Sequence, residues 1–265
     1  MFPPNKIRFE LKENAKTLSS ILNMFNENNI DSILNEYVLI GYDSDDRKKN
    51  IGKLFKSVDD NYKKFLCIVT ILEMTYTFKR VNLLNLININ AIHDIIVNNI
   101  DLIKNCINND KYNFKEKAST KYINSLFFIK NLNSIFDELK DIVTDNKLKD
   151  VINYFLQLYH KKPDTTTIYG LTHILIGASD FYTKELSNLY TPILHAIEES
   201  IYNNRIFNSV TLDLQMELLL CNKLFNNVNN INMDKYITFN DLEKNEHTNM
   251  LYILIKNYNL NDWTT

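Results

Sequence analysis

The sequence of 265 residues predicts an all-α fold of antiparallel helical hairpins, as a plain bundle, an α/α toroid-like ring or a helical-repeat stack. Apolar residues recur at three- and four-residue spacing through most of the chain, the period of a helix with one buried face. No stretch shows the strict apolar–polar alternation of a half-buried strand. Four glycines and four prolines are too few turn residues for a β-sandwich or barrel.

A first helix is expected from about Asn14 to Glu36, with Leu18, Ile21, Leu22 and Phe25 on one stripe. The polar loop 41–50 then divides a small N-terminal helical unit, residues 1–42, from the body of what reads as a single domain, 1–265. A second helix is expected over Ser57–Arg80, capped by Ser57, with Asp59 and Asp60 in its first turn, where acids suit the positive end of the dipole. Two more are expected at about Asn90–Ile107 and Ser119–Leu132. A fifth covers about Ser134–Tyr159, with a break near Asp145-Asn146. Lys161-Lys162-Pro163 interrupts the pattern, because Pro163 disfavours helical geometry in Lys162, and the threonines at 165–167 offer N-caps for the next helix. Helices are then expected over Thr167–Phe181, Leu186–Ile206, Val210–Phe225 and Asn240–Tyr258. The last opens on Asn240-Asp241-Leu242-Glu243, which approximates a capping box.

Composition excludes several function classes. Thirty basic against 32 acidic side chains give a charge of -2, which does not suit a broad electrostatic nucleic-acid surface. The 45% hydrophobic content argues against a disordered chain. No run of about 18 apolar residues free of charge suggests a membrane span, and the N-terminus lacks a signal-peptide pattern. Cys67, Cys106 and Cys221 sit singly in apolar runs with no CxxC, as core thiols in a reducing cytoplasm would. A soluble cytoplasmic protein is therefore expected, without nucleic-acid or membrane partners. Its 40 asparagines alternate with apolar residues at helical spacing. That fits the drift of tolerant surface positions in an A+T-rich genome better than an asparagine-ladder segment.

The window from Asn153 to Asn203 departs from this drift. Asn188 is the one asparagine between those two, yet the window holds His160, His173, His195, Gly170, Gly177, Pro163 and Pro192. If the helix there continues to Phe181, His173 and Asp180 are seven apart and share a face, with Tyr169 and Gly177 one turn to either side of His173. Gly177 lowers helix stability by about 1 kcal/mol relative to alanine, a loss explained by a ligand or a neighbouring helix coming close. Downstream, Asp213 and Glu217 are four apart on a very apolar helix. Two buried carboxylates on one face need a cation, a histidine or an arginine nearby. The expected catalytic set is His173, Asp180, Asp213 and Glu217, with Tyr169 and Gly177 against the substrate. Such residues on facing helices suit either a divalent metal or a metal-free acid/base site with an oriented histidine. The bland reading of each is structural: a hydrogen-bonded core histidine, an Asp180 that caps its helix, an Asp213 that favours a helix start. His195 with Glu198 reads as an exposed ion pair. His93-Asp94 lacks the upstream histidine of a phosphohydrolase doublet.

Thr172-His173, the step to Asp180-Phe181, and Asp213-Leu214-x-x-Glu217-Leu218 resemble an uncharacterised bacterial helical domain family with T-H-x6-D-F and D-x3-E-L helix motifs. Some of its members are encoded near natural-product biosynthesis genes. The resemblance covers Tyr169 to Leu224. It departs where the family continues D-F-G and this chain has Asp180-Phe181-Tyr182. It implies one shared site for His173, Asp180, Asp213 and Glu217, and no established activity. Two functions remain: an enzyme of specialised metabolism acting on a small molecule or peptide, or a helical interaction or scaffold protein in which these residues are structural.

Overall fold

The computed structural model describes residues 4–38, 58–108, 119–225 and 246–257. Among them all regular structure is helical. The loop 41–50, the Ser57 cap and the 240–243 capping box lie outside the described residues. The chain divides into two compact units, Met1–Glu116 with Phe128–Val143, and Lys117–Phe127 with Thr144–Thr265. No helix is long and apolar enough to cross a membrane.

The first unit is built around one helix. Helix α1 spans Pro4–Asn26 and the short α2 spans Ile30–Ile33, continued by a wide turn over Leu34–Val38. Helix α3, Asp60–Arg80, is the centre: Phe65 to Leu72 are all buried, whichever way they point. A helix apolar on every face has to be surrounded, and α1, α2 and the helical segments of residues 89–108 pack about it. Asp59 caps it by accepting from the Tyr62 N–H at 2.9 Å, so the cap falls two residues later than Ser57. Glu73 points outward.

The ends of α1 and α3 explain two of the asparagines. Asn28 (φ 57°) and Asn82 (φ 56°) adopt the left-handed conformation. Each closes a Schellman motif: Asn29 N–H donates to Met24 C=O at 2.8 Å, and Leu83 N–H to Phe78 C=O at 2.9 Å. These asparagines take the place usually given to glycine.

The helix expected over Asn90–Ile107 is two, α4 (Ile89–Asn98) and α5 (Ile100–Asn108). Asn99 causes the break. Its side-chain amide donates to the Ile95 carbonyl at 2.7 Å, displacing the backbone bond that would continue the helix. Helix α6 spans Ser119–Leu132 as expected, and the division between the units falls within it, after Phe127. The next expected helix starts late. Residues 133–144 instead carry a 3-10 turn at Asp137–Leu139 and a left-handed Asp141. Their apolar residues Phe136, Leu139 and Ile142 are buried. His93 binds Glu138 at 2.9 Å and stacks on Phe136.

In the second unit α7 (Asp145–Lys161) is capped by Thr144, which accepts from Lys147 N–H at 3.2 Å. Three residues link it to α8 (Thr165–Ala178). The cap of α8 is Asp164, not a threonine: one carboxylate oxygen accepts from both the backbone N–H and the hydroxyl of Thr167, each at 2.9 Å. A 3-10 turn at Asn188–Tyr190 leads into α9 (Thr191–Tyr202), with Pro192 in its first turn. Asn203 ends α9 and caps the short α10 (Asn204–Phe207) by accepting from the N–H groups of Arg205 and Ile206. Then come α11 (Leu212–Phe225) and α12 (Glu246–Asn257).

Two glycines set the packing of α8. A Cβ on Gly170 would overlap the Phe155 ring of α7, and one on Gly177 would overlap the Phe127 ring of α6. Both rings are buried. Phe155 and Gly170 lie at similar distances from the three-residue link, so α7 and α8 form an antiparallel hairpin. Phe127→Ala is expected to lower stability by about 3–5 kcal/mol. Gly177→Ala overfills the same space, with an expected loss of about 1–3 kcal/mol. In the double variant the methyl group enters space the ring has left, so the combined loss should fall below the sum. Urea unfolding of the three variants checks this, and strictly additive losses would contradict the shared space.

Candidate functional site

The site is assembled by two helices that run in the same direction. Tyr169 meets Asp213, and one turn further along both helices Thr172 meets Glu217. The parallel pairing requires a long return connection, and residues 179–211 with α9 supply it.

Glu217 forms the floor. It is 3% exposed and lies among Met216, Leu218, Leu219 and Leu220, all buried. A carboxyl in such surroundings needs strong partners. Thr172, fully buried one turn above Tyr169, donates to Glu217 Oε2 at 2.6 Å, the short range of a charge-assisted bond. The Thr172 hydroxyl also lies 3.0 Å from the Tyr169 carbonyl. It has one proton for two acceptors, and the shorter contact to the carboxyl is the stronger claim on it.

His173 is the next residue after Thr172 and so points about a third of a turn away along the same side of α8. Its Nε2 is 3.9 Å from Glu217 Oε1, close enough for Coulomb attraction and too long for a hydrogen bond. Its Nδ1 is 2.9 Å from Asn124 Oδ1, on the part of α6 that belongs to this unit. The ring is half-buried, whereas Glu217 and Thr172 beneath it are buried. Gly177, one turn on, admits Phe127, three residues beyond Asn124 on α6. One face of α8 therefore seats a phenylalanine ring and orients the imidazole, and the Gly177 position is filled by that ring.

Tyr169 donates its hydroxyl proton to Asp213 Oδ2 at 2.8 Å and lies 3.3 Å from the Thr211 hydroxyl. Thr248, buried on α12, donates to Asp213 Oδ1 at 3.5 Å, the long limit for such a bond. Burial, and after it the neighbouring carboxylates of Asp213 and Glu217, push the Tyr169 phenol far above its usual range. Asp213 also sits in the first turn of α11, where the helix dipole favours a negative charge.

Asp180 is placed differently from the sequence expectation. Helix α8 ends at Ala178, so the seven-residue relation to His173 does not hold. Asp180, Phe181 and Tyr182 form a left-handed turn, with φ of 52°, 55° and 71°. Three successive non-glycine residues in that region each carry a penalty of about 1–2 kcal/mol. Ser179 holds the turn: its carbonyl accepts from Thr183 and Lys184 N–H groups, and its hydroxyl accepts from Tyr182 N–H at 2.9 Å. Phe181 N–H donates to Ile176 C=O at 2.8 Å, closing the helix as Asn29 and Leu83 do elsewhere. The Asp180 carboxylate receives the Lys184 ammonium at 2.6 Å.

The sequence reading missed Asn124, Thr248 and Tyr182 as members of this region. Burial first, then Cys221, Glu217 and Asp213, push the Tyr182 phenol well above its ordinary value. The tyrosine of the D-F-Y departure is thus a half-buried residue whose phenol is drawn in among both helical carboxyls. Burial, with Glu217 adding, likewise raises the Cys221 thiol, so it is no ready nucleophile. Among the described residues no group of three or more His, Cys, Asp or Glu is placed to hold a metal ion. Asp180 turns to Lys184, and Tyr169 and Thr172 each donate to one oxygen of a helical carboxyl, so the divalent-metal expectation for His173, Asp180, Asp213 and Glu217 finds no support among the described residues. His195 and Glu198 form an exposed pair at 4.0 Å, as expected.

Comparison with protein-family models, with curated proteins and with solved structures gives no match.

The two half-buried tyrosines, Tyr169 and Tyr182, give the site a pH signature. Their phenols hold their protons more tightly in the folded chain than in the unfolded one. Stability should thus be unaffected by them below about pH 10 and fall as pH rises through and beyond that value. Absorbance titration of tyrosinate should show Tyr169 and Tyr182 ionising only with alkaline unfolding, and a Tyr169→Phe variant should lose one unit of that late-titrating amplitude. A full tyrosine complement ionising near pH 10 with the fold intact would contradict the raised phenols described.

Proposed function

We propose that the second unit is an acid/base enzyme of specialised metabolism, acting on a small molecule or peptide in the cytoplasm. His173 is the proton-transfer residue and Glu217 its charge partner. One observation carries the reading: a half-buried imidazole, fixed through Nδ1 by Asn124, stands 3.9 Å from a carboxyl sunk in leucine. A substrate proton taken up at Nε2 creates an imidazolium beside that carboxylate. In a poorly screened interior the carboxylate stabilises the new charge far more than it would in water. Tyr169 stays protonated and serves as a donor that orients Asp213. Asp180 and Gly177 have no part in the transfer. Buried thiols support the reducing compartment, and the T-H and D-x3-E-L motifs support the metabolic setting.

The test compares extracts of cells producing the wild-type chain, His173→Ala and Glu217→Gln, with the purified proteins assayed on the compounds that change. A product of the wild type that falls by about 10²–10⁴-fold in His173→Ala and sharply in Glu217→Gln, with helical circular dichroism retained, is the expected outcome. Unchanged product in both variants, or no conversion by the wild type, would reject the reading.

One observation favours a scaffold instead. Val81, Leu86 and Val97 of the first unit are exposed apolar side chains within a short stretch. On that reading the polar network is structural, and the wild-type chain converts nothing.

A further inference from the structure

A polar group stands near each nitrogen of the His173 imidazole, at different distances, and the difference bears on which nitrogen carries the proton. On one side the Asn124 amide oxygen lies 2.9 Å from Nδ1. That is an ordinary hydrogen-bond length, and an amide oxygen only accepts. On the other side Glu217 Oε1 lies 3.9 Å from Nε2, beyond bonding distance. A neutral imidazole free in water prefers its proton on Nε2. The carboxylate would reinforce that preference if it were near enough to bond, but at 3.9 Å it exerts only a through-space pull. The short bond to Asn124 outweighs it.

We propose that Asn124 is a positioning residue that holds neutral His173 in its Nδ1–H tautomer, leaving the Nε2 lone pair as the basic atom of the site. This deepens the acid/base reading, rests on it for its role in catalysis, and names the second side chain that makes it work. Asn124 is half-buried on α6, whose next turn packs Phe127 onto Gly177, so the amide is held at fixed height along α8. The Tyr169 ring also lies tilted beside the imidazole, with the ring centroids 6.2 Å apart. A histidine oriented through one nitrogen so that the other faces the chemistry is the general arrangement of proton-transferring imidazoles.

The test reads the ring directly and needs no substrate. Long-range nitrogen–proton correlation spectra of the isotope-labelled full chain distinguish the two tautomers. The His173 signals are assigned by their loss in His173→Gln, and the comparison is made above the ring's own titration midpoint. Wild type is expected in the Nδ1–H form. Asn124→Leu, which removes the acceptor at similar size, is expected to shift the ring to the Nε2–H form. Asn124→Asp, which restores an acceptor oxygen, is expected to keep Nδ1–H. An Nε2–H ring in the wild type, meaning an amide turned with its NH2 group toward Nδ1, would overturn the proposal. So would an Asn124→Leu ring still in the Nδ1–H form. If Asn124→Leu fails to fold, wild type and Asn124→Asp still decide the matter. An Nδ1–H ring in a chain that converts nothing would reject the enzyme reading and keep this assignment. An active chain with an Nε2–H ring would do the reverse.

Discussion

A single carboxyl group, Glu217, governs how α8 and α11 meet. Left unpartnered among leucines it would oppose folding by several kcal/mol. The helix that covers it must therefore bring a donor to one height and a polar ring to the next, and Thr172-His173 does both. Sliding α8 by one turn would put Ile176 or Ile168 over the carboxyl and leave it unsatisfied. The second pair, Tyr169 with Asp213, fixes the same register from one turn below. Polar bonds thus select the alignment of two helices whose apolar residues alone would tolerate several.

The other faces of α8 are set by shape instead of charge. Gly170 and Gly177 open hollows for Phe155 and Phe127. These rings pack directly on the α8 backbone, and the Phe127 contact lies one turn from the place where Asn124 meets His173. Packing and site geometry are consequently one structure. The imidazole is oriented by an amide whose position depends on an aromatic ring three residues along its helix.

Most helices were legible because their apolar period is strong, and Ser119–Leu132 is recovered to the residue. The breaks were not. Asn99 and Asn203 interrupt helices by turning side-chain groups on nearby backbone atoms. In a chain so rich in asparagine nothing in the local sequence marks those two from the ones that merely face water. Within the site, the four-residue spacing of Asp213 and Glu217 and the isolation of His173 were readable from chemistry. Asp180 was misplaced because its helix ends early, through three left-handed residues that have no glycine to announce them. Asn124 lies 49 positions from its partner, and only the tertiary arrangement gives it meaning.

Asparagine and aspartate stand at the left-handed ends of α1, α3 and α8, and none of the described glycines has a positive φ. Asparagine codons begin with two adenines and glycine codons with two guanines. A nucleotide pool poor in G and C would therefore shift the choice of helix terminator toward the amide, which tolerates the left-handed well through its short polar side chain. Under such a pool, pressure on DNA would reach the backbone torsions of the protein. The two glycines retained in the second unit stand where any β-carbon would collide with a phenyl ring, a demand that no codon bias can relax.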